Sequence, residues 1–387
     1  MAVTDTPVST SPRPKPWAKL AGFIFPLFFV ICFPLTYVSA THSPAPNDLS
    51  LTIVGSADVV SDIAQSLDDK DEFVITQTDV TARAQQDVEE RVSVGALLIA
   101  PADTADASES AGLSVTAYTA NGGGPAAAGA VQAVGQQVAE QLSAQFETED
   151  VAPLAEGDRL GSALFFLLTY SSIGAYLMVV ILTMLFPKGH LGIRFGAVAA
   201  ASVAIPLFTF GLSAIFVGDY GQNFETITRV LAVDALYVFT VGSLAILLQS
   251  LMGRASMIVL MGLVVFMNLP SSGGTVPAPL LPPFWQGVHS FWFGSGALES
   301  FRSLVYFDGN GIGHWLFQLA AWAVIAVLLT FIVELSKTNR ALRTQMTREN
   351  RYEARRESPA PEAERAAMSD TMPSPLEVAA QRAPSCR

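Results

Sequence analysis

From residue 160 to residue 335 the chain is almost bare of charge, while residues 44–159 and 337–387 on either side are polar. Charged residues make up 14% of the whole, against about 25% in an ordinary soluble domain, and the deficit is concentrated in that one stretch. In hydrocarbon every backbone N–H and C=O must find its partner within the protein, so such a stretch folds as helices. A helix needs about 20 apolar residues to cross a core about 30 Å thick. Six segments meet or approach that length: 18–40, 161–186, 193–217, 227–251, 254–269 and 314–335. The fifth is short and needs its flanks, or a tilt, to span. The expected fold class is an α-helical polytopic membrane protein with six transmembrane helices and a small extracytoplasmic α/β domain between helices 1 and 2.

Lysine and arginine in short loops set orientation, because basic loops stay in the cytoplasm. Arg13, Lys15 and Lys19 precede the first segment, Lys188 and Arg194 lie between the second and third, and Arg254 lies between the fourth and fifth. Lys337, Arg340 and Arg343 follow the sixth. All four places fall on one side if every segment spans. The opposite loops hold Asp219 and Glu225, and a single arginine, Arg302. This predicts both termini in the cytoplasm of a bacterial cell, with residues 1–17 and 336–387 inside and 41–160 outside. The tail would be helical to about residue 357 and disordered beyond it, where prolines, Ala, Ser and Glu cannot build a core. Residues 13–40 also fit a cleaved signal peptide ending at Val38-Ser39-Ala40, although the apolar stretch is long for one.

Residues 50–159 alternate strand and helix patterns: strands at 51–54, 73–75, 94–99 and 113–118, and helices at 57–67, 82–91 and 126–146. About twenty acidic residues stand there against Lys70, Arg83, Arg91 and Arg159, a surface that repels nucleic acid and anionic headgroups. Gly122-Gly123-Gly124 reads as a turn, since no phosphate-loop pattern surrounds it. Cys32 and Cys386 stand too far apart in kind and place to form a disulfide framework, and the four histidines are scattered. No catalytic constellation, metal site or cofactor motif is apparent.

Residues 270–313 are apolar and aromatic but broken by Pro270, Pro277, Pro279, Pro282 and Pro283. Residues 283–307 permit two short amphipathic helices, with Gly294 and Gly296 at a corner between them. Two readings stay open: an interfacial aromatic belt, or a re-entrant helical cap over an exit pathway. In the second, Phe284 and Trp285 would meet whatever passes, and Glu299 and Arg302 would pair at i,i+3. In the fourth segment Arg229 lies near the outer end, where it can snorkel, and Asp234 lies deeper, where hydrocarbon penalises a charge by about 2.5–3.5 kcal/mol; Asp234 therefore forms a structural pair with Arg229 or with another helix, or lines a polar pathway.

One helix, an α/β domain, then five helices with an apolar loop before the last: this order resembles the YhgE/Pip (phage infection protein) family within the type-2 ABC permease superfamily. The resemblance covers roughly residues 17–336. It is carried by Leu280-Leu281-Pro282-Pro283-Phe284-Trp285 leading to Ala297-Leu298-Glu299-Ser300-Phe301-Arg302 and Tyr306-Phe307, with a second echo in Ala96-Leu97-Leu98-Ile99-Ala100-Pro101. It implies a homodimer, or a heterodimer with a similar permease, enclosing a pathway for a hydrophobic or amphipathic envelope molecule. It also implies a separate cytoplasmic ATPase, since no Walker motif is present here. The alternative is a non-transporting envelope scaffold, a secretion accessory protein or a phage-receptor-like surface protein.

Overall fold

The computed structural model describes residues 24–68, 72–102, 112–185 and 190–357. The expectations placed on Arg13, Lys15, Lys19 and Lys188, on the tail beyond Glu357 and on Cys386 lie outside these residues. The chain divides into two compact units, Met1–Thr330 and Phe331–Arg387.

Within the first unit a five-stranded sheet is built from β1 (Leu49–Val54), β2 (Phe73–Thr78), β3 (Gly95–Pro101), β4 (Leu113–Thr119) and β5 (Gln145–Asp150), in the order β2-β1-β3-β4-β5. Only the β3–β4 pair is antiparallel. Three helices connect the strands: α2 (Ala57–Asp68), α3 (Thr81–Glu89) and α4 (Pro125–Leu142), leaving α1 for the segment that precedes the sheet. Leu49, Leu51 and Ile53 of β1 join Val60, Ile63 and Leu67 of α2 and Val131, Val134 and Val138 of α4 in one core cluster. Val54 joins Ala84 and Val88 of α3 in a second. The period-2 alternation of a strand therefore feeds two layers.

The helix expected over 126–146 ends earlier than its pattern predicts. α4 stops at Leu142, where Ser143 adopts a left-handed φ of 52° and Ala144 N–H closes on the Ala139 carbonyl at 2.9 Å. The chain then turns back as β5, whose Glu147 and Glu149 are exposed. Charges on an edge strand oppose pairing with a foreign strand.

Four helices among the described residues are long and apolar enough to cross a bilayer: α5 (Ala163–Leu185), α6 (Leu191–Val217), α7 (Phe224–Met252) and α11 (Ile312–Glu357). The last belongs to the first unit as far as Thr330. In the second unit its described residues are helical, with Lys337 donating to Glu334 at 2.9 Å. The first and fifth expected spans are shorter apolar helices, Pro26–Thr41 and Ser256–Ser271. The first comprises α1 (Ile24–Phe33), a π-helical stretch Pro34–Val38 and a turn Ser39–Thr41. The fifth comprises α8 (Ser256–Met261), a π-helical stretch Gly262–Met267 and a turn Asn268–Ser271. Pro34 and Pro270 lack the N–H that an α-ladder needs, which favours widening. Hydroxyls meet some of the carbonyls in the first widened region: Thr36 Oγ1 donates to Cys32 O at 2.9 Å and Thr41 Oγ1 to Tyr37 O at 2.8 Å. The two irregular helices touch through Phe28, Phe29 and Phe33 around Phe266.

The loop 270–313 forms α9 (Pro283–His289) and α10 (Phe293–Tyr306). The corner between them is Ser290–Trp292. Gly294 and Gly296 lie inside the first turn of α10, where they admit close neighbours. A Cβ on Gly294 would lie 2.0 Å from Asn268 Oδ1, and one on Gly296 would lie 2.9 Å from the Trp315 carbonyl. Val276, Leu280, Leu281 and Trp285 belong to the main core of the sheet. The α/β domain therefore shares its core with this loop. The Gly122 turn joins them on another line, since a Cβ there would lie 2.4 Å from the Tyr306 ring. Gly122→Ala is expected to destabilise the chain by about 1–3 kcal/mol through overpacking, read as a lower unfolding temperature in detergent micelles.

Candidate functional site

The α3–β3 connection presents Arg91 in a left-handed conformation, φ 60°. That geometry is uncommon outside glycine, Asn and Asp. It accompanies a guanidinium that reaches α10. Arg91 Nη1 donates to the Glu299 carbonyl at 3.0 Å and to Ser303 Oγ at 2.6 Å, while Nη2 meets Glu299 Oε2 at 2.5 Å. The other carboxylate oxygen accepts from Arg302 Nη1 at 2.6 Å, and Arg302 Nη2 donates to the Gly273 carbonyl at 2.9 Å. Glu299 and Arg302 are each only 4% exposed. Phe307 supports the Arg91 guanidinium at 4.9 Å from its ring centre. Burial by itself raises the Glu299 carboxyl. Arg302 and then Arg91 outweigh that and hold it at about 2, below its ordinary 4.5.

His289 completes the cluster. Burial pushes the imidazole down despite the nearby Glu299. Its Nδ1 contacts the Ser271 carbonyl at 2.8 Å. A carbonyl only accepts, so Nδ1 carries the proton and, in the neutral ring, Nε2 is left as an acceptor. These side chains border a cavity of about 360 Å³ whose wall also includes Ser93, Phe307, His314 and Trp315. Two guanidiniums and one carboxylate leave an excess of one positive charge. The arrangement is an ionic latch between the α/β domain and α10.

The structure distributes the expected site residues as follows. Glu299 and Arg302 are brought together, in the protein interior and with Arg91 as a third member. Phe284 is 63% exposed, but Trp285 is 4% exposed and lies in the core, donating its indole N–H to Ser39 Oγ at 3.0 Å. Trp285 is thus withdrawn from any surface that would meet a passing molecule. Arg229 and Asp234 do not pair. Five residues at 100° each place them about 140° apart around the helix. Arg229 pairs with Glu225 one turn earlier, on the exposed side. Asp234 is fully buried and receives Ser171 Oγ at 2.7 Å.

Around Asp234 the bundle carries two polar links that no local pattern announced. Ser171 also contacts Thr209 Oγ1 of α6 at 3.3 Å. Ser172 contacts Tyr237 Oη at 2.6 Å, and Asn268 Nδ2 donates to the same oxygen at 2.8 Å. Thr209 opens onto a second cavity, of about 810 Å³, between the ends of α5 and α6. Its walls include Phe166, Tyr170, Leu212 and Phe216, and its rim includes Asp158 and Arg159. Asp158 is committed to the start of α5, accepting from the Ser162 and Ala163 amides at 3.0 and 2.9 Å. Arg159 is exposed and has no ion-pair partner among the described residues. Among the described residues no group of three or more His, Cys, Asp or Glu side chains is placed to hold a metal.

Comparison with protein families, with curated proteins and with solved structures finds no match to the chain.

Proposed function

We propose that the chain is the membrane-spanning subunit of an ABC-type exporter, resembling the YhgE/Pip family, that moves an amphipathic envelope molecule outward with a separate cytoplasmic ATPase. The observation that carries this reading is the groove between α5 and α6. It joins apolar walls, which suit acyl or isoprenoid chains, to a cation without an ion-pair partner among the described residues, Arg159, which suits an anionic head. In this reading the chain lies in a bacterial cytoplasmic membrane with both termini inside and the α/β domain outside. The two short irregular helices complete six crossings, and a second copy or a similar permease completes the pathway. The groove mouth then sits at the outer boundary, where cargo leaves.

The test has two parts. Cargo capture is measured with a photoactivatable anionic lipid in membranes holding the full chain, with digestion and mass spectrometry to map the adduct. Arg159→Glu, placed in an exposed rim, is expected to lower capture by about tenfold, equivalent to about 1.4 kcal/mol. Co-purification of an ATPase with the chain decides between transport and the scaffold reading. The latch favours the scaffold reading, because it clamps the α/β domain to α10 as one body. No ATPase and no adduct in the groove would leave that second reading standing alone.

A further inference from the structure

We infer that Asp234 is a proton-binding site in the helical bundle, loaded from the α5–α6 groove through Thr209 and Ser171. The inference goes beyond the export reading and does not depend on it.

The first ground is isolation. Asp234 is fully buried, and its Oδ1 has no hydrogen-bond partner. Among the described residues no cation pairs with it. Of the charged groups on the elements packed against it, α5 has none, and Arg194 of α6 lies near that helix's start, fifteen residues before Thr209. On α7 itself Glu225 and Arg229 pair with each other, and on α10 Glu299 and Arg302 are held in the latch. The short helix α8 and the turn after it carry none. The nearest phenol, Tyr237, is engaged by Ser172 and Asn268. An ionised carboxylate with one bare oxygen in such a place has a single neutral hydroxyl, Ser171, as its compensation.

The second ground is a count of protons. Three contacts run in series: Asp234 Oδ2 to Ser171 Oγ at 2.7 Å, Ser171 Oγ to Thr209 Oγ1 at 3.3 Å, and Thr209 Oγ1 to the Ile205 carbonyl at 3.0 Å, in a bond whose proton the Pro206 carbonyl shares at 3.2 Å. Each hydroxyl has one proton to donate. With Asp234 ionised, Ser171 must point at the carboxylate. Thr209 must then choose between Ser171 and Ile205, and one contact goes unmade. With Asp234 protonated the series closes: acid to Ser171, Ser171 to Thr209, Thr209 to Ile205. Three protons then serve three contacts, and the bare Oδ1 becomes the neutral carbonyl oxygen of the acid.

The third ground is access. Thr209 lines the groove, so its oxygen is the point at which the series meets the solvent or the cargo headgroup. A proton arriving at Thr209 Oγ1 displaces that hydroxyl's own proton to Ser171, which passes its own to Asp234 Oδ2. Thr209 and Ser171 each lose one proton and gain another, so one proton is transferred overall, to Asp234 Oδ2, and discharge reverses the order. The bundle thereby gains a carboxyl whose charge depends on what occupies the groove.

The test uses the full chain in lipid nanodiscs. Infrared spectra at neutral pH are expected to contain the carbonyl band of a protonated carboxylic acid, shifted in D₂O and absent in Asp234→Asn. Thr209→Val is expected to slow the D₂O-induced shift of that band at least tenfold. In parallel, dicyclohexylcarbodiimide, which adds to protonated carboxyls in apolar surroundings and rearranges to a stable N-acylurea, is expected to modify Asp234, as read by mass spectrometry of the unaltered chain. This arm needs no variant and so does not depend on how a variant folds. Absence of both the band and the adduct overturns the assignment. A band that persists in folded Asp234→Asn also overturns it. Exchange unaffected by Thr209→Val overturns the relay. None of these outcomes bears on whether an ATPase co-purifies, so failure here is separable from failure of the export reading.

Discussion

Glu299→Ala is expected to be among the most damaging single changes in the chain, at about 3–5 kcal/mol, because it leaves Arg91 and Arg302 buried without their shared carboxylate. The measurement is thermal unfolding in detergent micelles, with limited proteolysis to follow the α/β domain. Undocking of that domain should expose the α3–β3 connection to cleavage first. Glu299→Gln separates charge from shape, and is expected to destabilise as well, since an amide nitrogen must then face a guanidinium. The pH dependence has a definite sign. Glu299 is held at about 2 in the folded chain against an ordinary 4.5, so the unfolded chain takes up the proton first. Its contribution is fully present above pH 4.5, declines as pH falls from there, and is gone below about 2. That part of the acid slope is expected to vanish in Glu299→Gln. An unchanged slope would mean that the latch carboxylate is not what the acid titrates.

Trp285→Ala is expected to cost about 3–5 kcal/mol, and Phe284→Ala no more than about 0.5 kcal/mol. The two residues are adjacent, but one ring is packed with Leu280, Leu281 and the sheet while the other is mostly exposed. Under the proposed export reading, a change at Trp285 that lowers export therefore reports a loosened core, and of the two residues only Phe284 tests contact with cargo. The unfolding temperatures of the two variants in the same detergent check this directly. Equal and small effects would show that Trp285 does not belong to the core.

The regular elements were legible because their causes are local. The length of each apolar run set α5, α6 and α7 to within three residues of their expected ends. Alternation at 113–118, and Ile63 and Leu67 at helical spacing, marked β4 and α2 for the same reason. The i,i+3 spacing of Glu299 and Arg302 was enough to expect their pairing, and the cost of a charge in hydrocarbon was enough to single out Asp234. Pairing Arg229 with Asp234 failed on information the sequence did contain, since a five-residue step turns too far around a helix. The strand β5 was hidden because Gln145–Asp150 is polar and an edge strand needs little apolar alternation.

What the sequence by itself determined is where the chain can be helix, strand or turn, and which stretches must avoid water. What only the tertiary structure decided is which of those surfaces meet. Arg91 and Glu299 are 208 residues apart, so no window of sequence contains both ends of the latch. Arg91 looked like one base on an acidic surface until α10 was packed beneath it. Trp285 looked like an interfacial aromatic until the sheet covered it. Ser171 and Thr209 drew no reading from the sequence, and only the packing of α5, α6 and α7 sets Ser171 between Thr209 and Asp234. Local propensity is set by a residue and its near neighbours, whereas burial and partnership are set by packing, and packing joins residues whose separation along the chain leaves no pattern to read.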